Sequence, residues 1–481
     1  MISLLCLVFA NLLTTSNAIN LVKRDMPSII EMPIQRKPFF DPQQPDTNAA
    51  SRDRLRKRVT KTVQETLANE ETLYFANVTL GTPPQALRLH VDTGSSDLWT
   101  NSASSSLCQQ NVALCTLSGT YNANASSTYK YVNSVFNISY VDRSGATGDY
   151  GTDNLVIGGD TLDALQFGIG YRSTSEEGIL GVGYPVNEVQ VNHARLQPYA
   201  NVPAFMQQSG LINSMAFSLW LNDLNANTGS ILFGGVDTDK YHGSLQTLPI
   251  IPEYGVYAEF LIGMTGIGIN GTAGSVASNQ TIAVLLDSGS SLTYLPNNIA
   301  QTILTQFGAQ YSASKGAAIV DCTLGQQTGS VDFTFSTPTI SVPLNELVLL
   351  GGYTNGKPYC IFGIAPAEGA SPVLGDTFLR SAYVVYDLSN NEISIAATNY
   401  NSTSDNIMEI AKSSNGVPDA TRVVNAITSV AAVQTGGAVL GGGSFSVTLS
   451  GGTVPMITPG PARAYGAGAL AVAGLGAMLA L

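Results

Sequence analysis

The sequence predicts a mostly β protein made of two related lobes facing each other across a cleft. Three observations carry that prediction. The chain has 481 residues, 48 of them glycine and only 12% charged, which suits strands with tight turns and exceeds one ordinary core. Two apolar segments, Leu89-His90-Val91 and Leu285-Leu286, each run directly into an Asp-Thr/Ser-Gly-Ser-Ser turn, beginning at Asp92 and Asp287. Each copy is followed by an echo: Gly178-Ile179-Leu180-Gly181 after the first, Pro372-Val373-Leu374-Gly375-Asp376 after the second. Such internal repetition implies two copies of one structural unit.

Along the chain, residues 1–18 read as a signal peptide, because an apolar run from Ile2 to Leu13 precedes the small residues Ser16-Asn17-Ala18. Residues 19–58 read as a pro-segment. The stretch 20–58 holds nine Lys/Arg against five acids and ends in Arg56-Lys57-Arg58, a dibasic processing site, with Lys23-Arg24 a second candidate. Its positive charge would suit an acidic cleft awaiting exposure. The rest of the chain keeps 13 bases against 29 acids. The lobes are expected at 70–248 and 249–400. Residues 401–450, rich in Ser, Thr, Gly, Ala and Val, read as a stalk. Residues 451–481 read as the signal for a glycosylphosphatidylinositol (GPI) anchor: Ser450-Gly451-Gly452 supplies small residues, a spacer holds Arg463, and an apolar tail follows from Gly466 to Leu481.

Cys6 leaves with the signal peptide. Four cysteines remain and allow three pairings; Cys108–Cys115 closes a natural local loop, leaving Cys322–Cys360. Asn77, Asn124, Asn137, Asn270, Asn279 and Asn401 each open an Asn-X-Ser/Thr sequon. Together these features predict a glycoprotein of the secretory pathway, anchored at the plasma membrane or cell wall or released outside the cell, and matured by a dibasic-cleaving protease.

The repeated aspartates carry the chemistry. Hydrolysing a peptide with activated water needs a base for the water and an acid for the scissile group. Two adjacent carboxylates cannot both ionise cheaply, so they share one proton and supply both roles at one pH. Gly94 and Gly289 let two backbones approach closely. Thr93 and Ser288 can tie the two loops together, and Ser95 and Ser290 can hold the outer carboxylate oxygens.

These motifs resemble those of the pepsin-family aspartic proteases, over residues 70–400. Tyr74 to Gln85 resembles the family's first strand, Asp92-Thr93-Gly94-Ser95-Ser96-Asp97-Leu98-Trp99 its first active-site motif, and Leu374 to Arg380 with Tyr386-Asp387 its closing strands. The leader, stalk and tail resemble the yapsin-like, GPI-anchored fungal branch. The resemblance implies a bilobal pepsin-like fold with the cleft between its lobes, catalysis by Asp92 and Asp287, no cofactor or metal, a monomer, and cleavage of protein or peptide substrates at acidic pH. It implies that Tyr140 is the tyrosine of a flap, with Ser144 at its turn and Trp99 packed nearby. Val141 and Arg143 stand where the family usually has glycine, a departure that bears on the flap tip.

Other chemistries fit poorly. A net charge of −12 excludes a nucleic-acid binder, which needs clustered cations. Only His90, His193 and His242 exist, with no G-x-S-x-G and no H-E-x-x-H, so serine, cysteine and zinc hydrolases lack their partners. His90 reads as a packed histidine on the strand before Asp92. The competing reading is a catalytically inactive surface-binding glycoprotein on the same fold.

Overall fold

The computed structural model describes residues 29–36, 73–116, 118–141, 143–226, 228–278, 280–354 and 356–430. The signal peptide, most of the pro-segment, the anchor signal at 451–481 and Asn279 lie outside the described residues.

Strands dominate, as the Gly-rich, low-charge composition requires. The largest sheet has fourteen strands among the described residues and joins both halves of the chain. Its middle pairs Ala216–Trp220 with Thr228–Phe233 on one side and with Ala382–Asp387 on the other, so a strand of the first half lies against a closing strand of the second. Fully buried Phe217 and Tyr386 stack there at 4.8 Å between ring centroids. The second half adds a five-stranded sheet and two four-stranded sheets.

The sequence echo becomes a structural one. Gln85–Asp92 pairs in parallel with Gly178–Gly181, which pairs antiparallel with Leu98–Asn101. Ile282–Leu286 likewise pairs in parallel with Val373–Leu374, which pairs antiparallel with Thr293–Leu295. The repeat therefore specifies two equivalent frames, each delivering one aspartate from the end of a buried strand. The fold is the bilobal β fold that the repeat predicts.

Two segments join the folded body in ways their composition does not announce. Ile30–Arg36, inside the expected pro-segment, is a strand of the large sheet, paired with Thr228–Phe233 on one side and Tyr74–Leu80 on the other. Ile30, Met32 and Ile34 are buried in the main core. Alternating apolar residues make this short stretch a good strand, whatever the basic character of its surroundings.

The described part of the expected stalk is packed rather than free. Ile407–Glu409 pairs with Gly235–Asp237, and Ala420–Arg422 pairs in parallel with Tyr241–Pro249. Ile410, Val417 and Val423 are buried. Lys240 holds the segment's start: its Nζ donates to the Ser402 and Ser404 carbonyls at 3.2 and 2.9 Å and to Asp405 at 2.8 Å, with its charge 4.7 Å from the Trp220 ring centroid. Composition concealed this because backbone pairing and three well-spaced apolar side chains do the anchoring. The folded body thus extends through 430.

Both disulfides form as expected. Cys108–Cys115 links two short helices, Ser106–Gln110 and Val112–Thr116, and Cys322–Cys360 ties the turn at Cys322–Gln326 to the strand Lys357–Phe362.

Candidate active site

Asp92 ends one buried strand and Asp287 follows another. A reciprocal grip holds their loops together. Thr93 Oγ1 donates to the Leu286 carbonyl at 2.9 Å, and Ser288 Oγ donates to the Val91 carbonyl at 2.8 Å. The Ser288 N–H donates to Thr93 Oγ1 at 3.0 Å, and the Thr93 N–H to Ser288 Oγ at 3.2 Å. Every donor and acceptor in this grip is buried and satisfied, which fixes the two loops relative to each other.

Each carboxyl sits in a matching cradle. Gly94 N–H donates to Asp92 Oδ1 and Gly289 N–H to Asp287 Oδ1, both at 2.8 Å. Ser95 Oγ donates to Asp92 Oδ2, and Ser290 Oγ to Asp287 Oδ2 at 2.7 Å. The two carboxyls are immediate neighbours, each lying against the other's glycine. The glycines are needed for that approach. A Cβ on Gly94 would stand 2.6 Å from Asp287 Oδ1, and one on Gly289 would stand 2.4 Å from Asp92 Oδ1.

Burial pushes both carboxyls above their ordinary range. For Asp92 the neighbouring Asp287 pushes further in the same direction, while hydrogen bonds from Ser95 and Gly94 oppose it. Two carboxyls this close oppose a second ionisation, which favours sharing one proton, the state a combined acid and base requires.

Tyr140 and Ser144 lie at the turn between the antiparallel strands Lys130–Ser139 and Gly145–Ile157. Tyr140 N–H donates to the Ser144 carbonyl at 2.9 Å, closing that turn. Arg143 adopts a left-handed φ of 71°, a conformation unfavourable for a side-chain-bearing residue, where the related pattern has glycine. Trp99 Nε1 donates to the Tyr140 hydroxyl at 2.6 Å. Trp99 is wholly buried and packs on Phe136 of the hairpin, so one aromatic cluster connects the first active-site motif to the turn.

Three residues in or near the motifs have roles that the sequence does not assign. Asp97 is buried and accepts from the Tyr150 hydroxyl at 2.5 Å, the Tyr199 hydroxyl at 2.9 Å and the Val189 N–H at 2.8 Å, so it pins the loop that leads to Trp99. Glu188 accepts from the Tyr199 N–H at 2.8 Å, and burial, then the Asp97 charge, push its carboxyl up to about 10. His90 joins the two lobes, as described below. The partners of Asp97 and His90 lie 53 to 198 residues away, and Tyr199, which Glu188 meets, comes from an irregular segment, so no local pattern reveals them. Of the sequons, Asn124, Asn137, Asn270 and Asn401 are exposed and Asn77 is half-buried within a strand; the Asn401 amide donates to Asp223. No cluster of His, Cys, Asp or Glu able to hold a metal occurs among the described residues.

Two buried aspartates, side by side on equivalent loops of a bilobal β fold, define a peptide hydrolase of the aspartic type. Residues 73–398 match the model of the eukaryotic aspartyl protease family, and the chain belongs to that family. It is 51% identical over 95% of its length, and 92% of the relative's, to a probable aspartic-type endopeptidase of Aspergillus oryzae. It is 36% identical to secreted aspartic protease 4 of Candida albicans, covering 81% of this chain and 92% of that one. The crystal structure of an aspartic proteinase from Irpex lacteus shares the fold, with a TM-score of 0.57 at 23% identity, covering 70% of this chain and 97% of that one. The chain is an aspartic endopeptidase, and its substrates are peptides or proteins.

Proposed function

We propose that Asp92 and Asp287 are the catalytic pair and that the enzyme works in acid on substrates met along the secretory pathway or at the cell surface. The matching cradles that hold the two buried carboxyls side by side carry this reading. A water bound between them gives a proton to the ionised carboxylate as its oxygen attacks the scissile carbonyl carbon. The protonated carboxyl donates to the developing oxyanion. The tetrahedral intermediate then collapses, the C–N bond breaks, and the departing nitrogen takes a proton from the pair. Tyr140, held by Trp99, serves the hairpin as its substrate-facing aromatic, with Ser144 shaping the turn.

The leader, four exposed sequons, two disulfides and a relative named as secreted all support passage through the secretory pathway. We take Arg58 as the processing site, Ser450–Gly452 as the region of lipid attachment, and the monomer as the working unit. Cutting after Arg58 leaves Ile30–Arg36 joined to the body by its ladders with Tyr74–Leu80 and Thr228–Phe233 and by its buried Ile30, Met32 and Ile34.

The test is peptide cleavage between pH 3 and 7 by processed enzyme, with and without a statine-type inhibitor or a chelator, beside Asp92→Asn and Asp287→Asn. We expect acid-optimal, statine-sensitive, chelator-insensitive cleavage that falls at least about a thousandfold in either variant. Full activity in either variant would remove that aspartate from the mechanism. A folded, processed protein without activity favours the inactive binding glycoprotein.

A further inference from the structure

The symmetry of the two frames makes a specific expectation two residues before each aspartate. On the Asp287 side that residue is Leu285, an apolar core residue. On the Asp92 side it is His90, equally inside the protein at 5% exposure. The fold alone needs nothing polar here, and burying an imidazole costs free energy unless its nitrogens are bonded. His90 Nε2 lies 3.1 Å from the carbonyl oxygen of Ser288, across the lobe boundary. A carbonyl oxygen only accepts, so that nitrogen carries the hydrogen.

The Ser288 carbonyl and the Gly289 N–H are opposite edges of one planar peptide. The Gly289 N–H is the donor that holds Asp287 Oδ1 at 2.8 Å. His90 therefore grips one edge of the plane whose other edge grips the carboxylate. A donor on the carbonyl also polarises the peptide and strengthens its N–H as a donor. The equivalent strand position in the other half, Leu285, has no donor to offer.

We propose that His90 is a positioning residue for peptide hydrolysis: through the Ser288–Gly289 peptide it orients Asp287 and favours the negative charge there over Asp92. This rests on the reading of Asp92 and Asp287 as the catalytic pair. Other contacts agree with the bias. Asp287 accepts from the Ser290 hydroxyl at 2.7 Å and the Gly289 N–H at 2.8 Å, and both bonds favour its ionised form. Around the ring, Phe75 on Tyr74–Leu80 lies 5.6 Å away between centroids and Ile179 is its register partner on Gly178–Gly181; both are uncharged. Arg88, two residues earlier on the same strand, holds its guanidinium 4.5 Å from the Phe75 ring centroid.

The test compares full-chain, processed wild type with His90→Leu, His90→Gln, His90→Asn and Asp287→Asn. His90→Leu copies the residue used on the opposite lobe. It should lower kcat at least tenfold with KM within twofold, and move the acid limb of the pH profile upward, because an unsupported Asp287 ionises less readily. His90→Gln, whose amide nitrogen reaches the place of Nε2, should recover most of kcat; His90→Asn, which is shorter, should not. Wild-type kcat and an unmoved acid limb in His90→Leu overturn the proposal. So does equal loss in Gln and Asn variants that melt at the wild-type temperature, a comparison that also decides the matter if the Leu variant does not fold. An active Asp287→Asn would overturn the catalytic pair itself. An inactive Asp287→Asn beside a fully active His90→Leu would remove only the histidine.

Discussion

Trp99 donates its indole N–H to the hydroxyl of Tyr140 at 2.6 Å, so the strand that follows the first aspartate loop holds the turn of the hairpin directly. Trp99→Phe keeps the ring packing and removes this one bond. A buried hydrogen bond contributes about 1 kcal/mol. The variant should lose roughly fivefold to tenfold in kcat/KM, with thermal stability nearly unchanged. Steady-state kinetics beside a thermal melt checks both halves; unaltered kcat/KM means the turn needs no such anchor.

Gly94→Ala and Gly289→Ala each place a methyl group against the opposite carboxyl oxygen. The pair must separate to admit it. Activity should fall at least about a hundredfold, since even small misplacement of reacting groups is costly. A near-UV circular dichroism spectrum like the wild type's would show that the fold survives. Normal activity in both variants would mean that the mutual contact of the carboxyls is dispensable.

Stability should decline as pH rises. The Glu188 carboxyl is held up to about 10 against an ordinary value of 4.5, and burial also raises Asp97. Between those two values the folded state binds more protons than the unfolded state, so stability is fullest below pH 4.5 and is lost progressively above it. Melting temperatures from pH 4 to 8 should fall steadily, and Glu188→Gln should flatten the slope. Identical slopes in the two proteins would assign the trend to other groups.

Truncation should locate the end of the folded body. Stopping after residue 430 should leave the melting temperature unchanged. Stopping after residue 400 removes Ile410, Val417 and Val423 from the core, at about 1.5–3 kcal/mol each. A loss of at least about 5 kcal/mol corresponds to a drop of roughly 7 °C or more for a body of this size. Equal melting temperatures for the two truncations would mean that 401–430 adds nothing to stability.

The sequence by itself determined the two-lobed β architecture, the two aspartate loops and both disulfides. These are written in local, repeated patterns: an apolar strand end, a turn that tolerates glycine, an echo further on, and cysteines with few pairings to choose from. The tertiary structure alone decided what lies across from what. Ile30–Arg36 sits in a basic leader but finds two neighbours for its backbone, and Ser402–Arg422 has a stalk-like composition but finds free sheet edges. His90 shows the same limit at the site. Its sequence context describes an apolar strand, and only the fold brings the Ser288 carbonyl, 198 positions later, within 3.1 Å. Strand pairing and hydrogen bonding act between segments far apart in the chain, so their consequences become visible only once the chain has closed on itself.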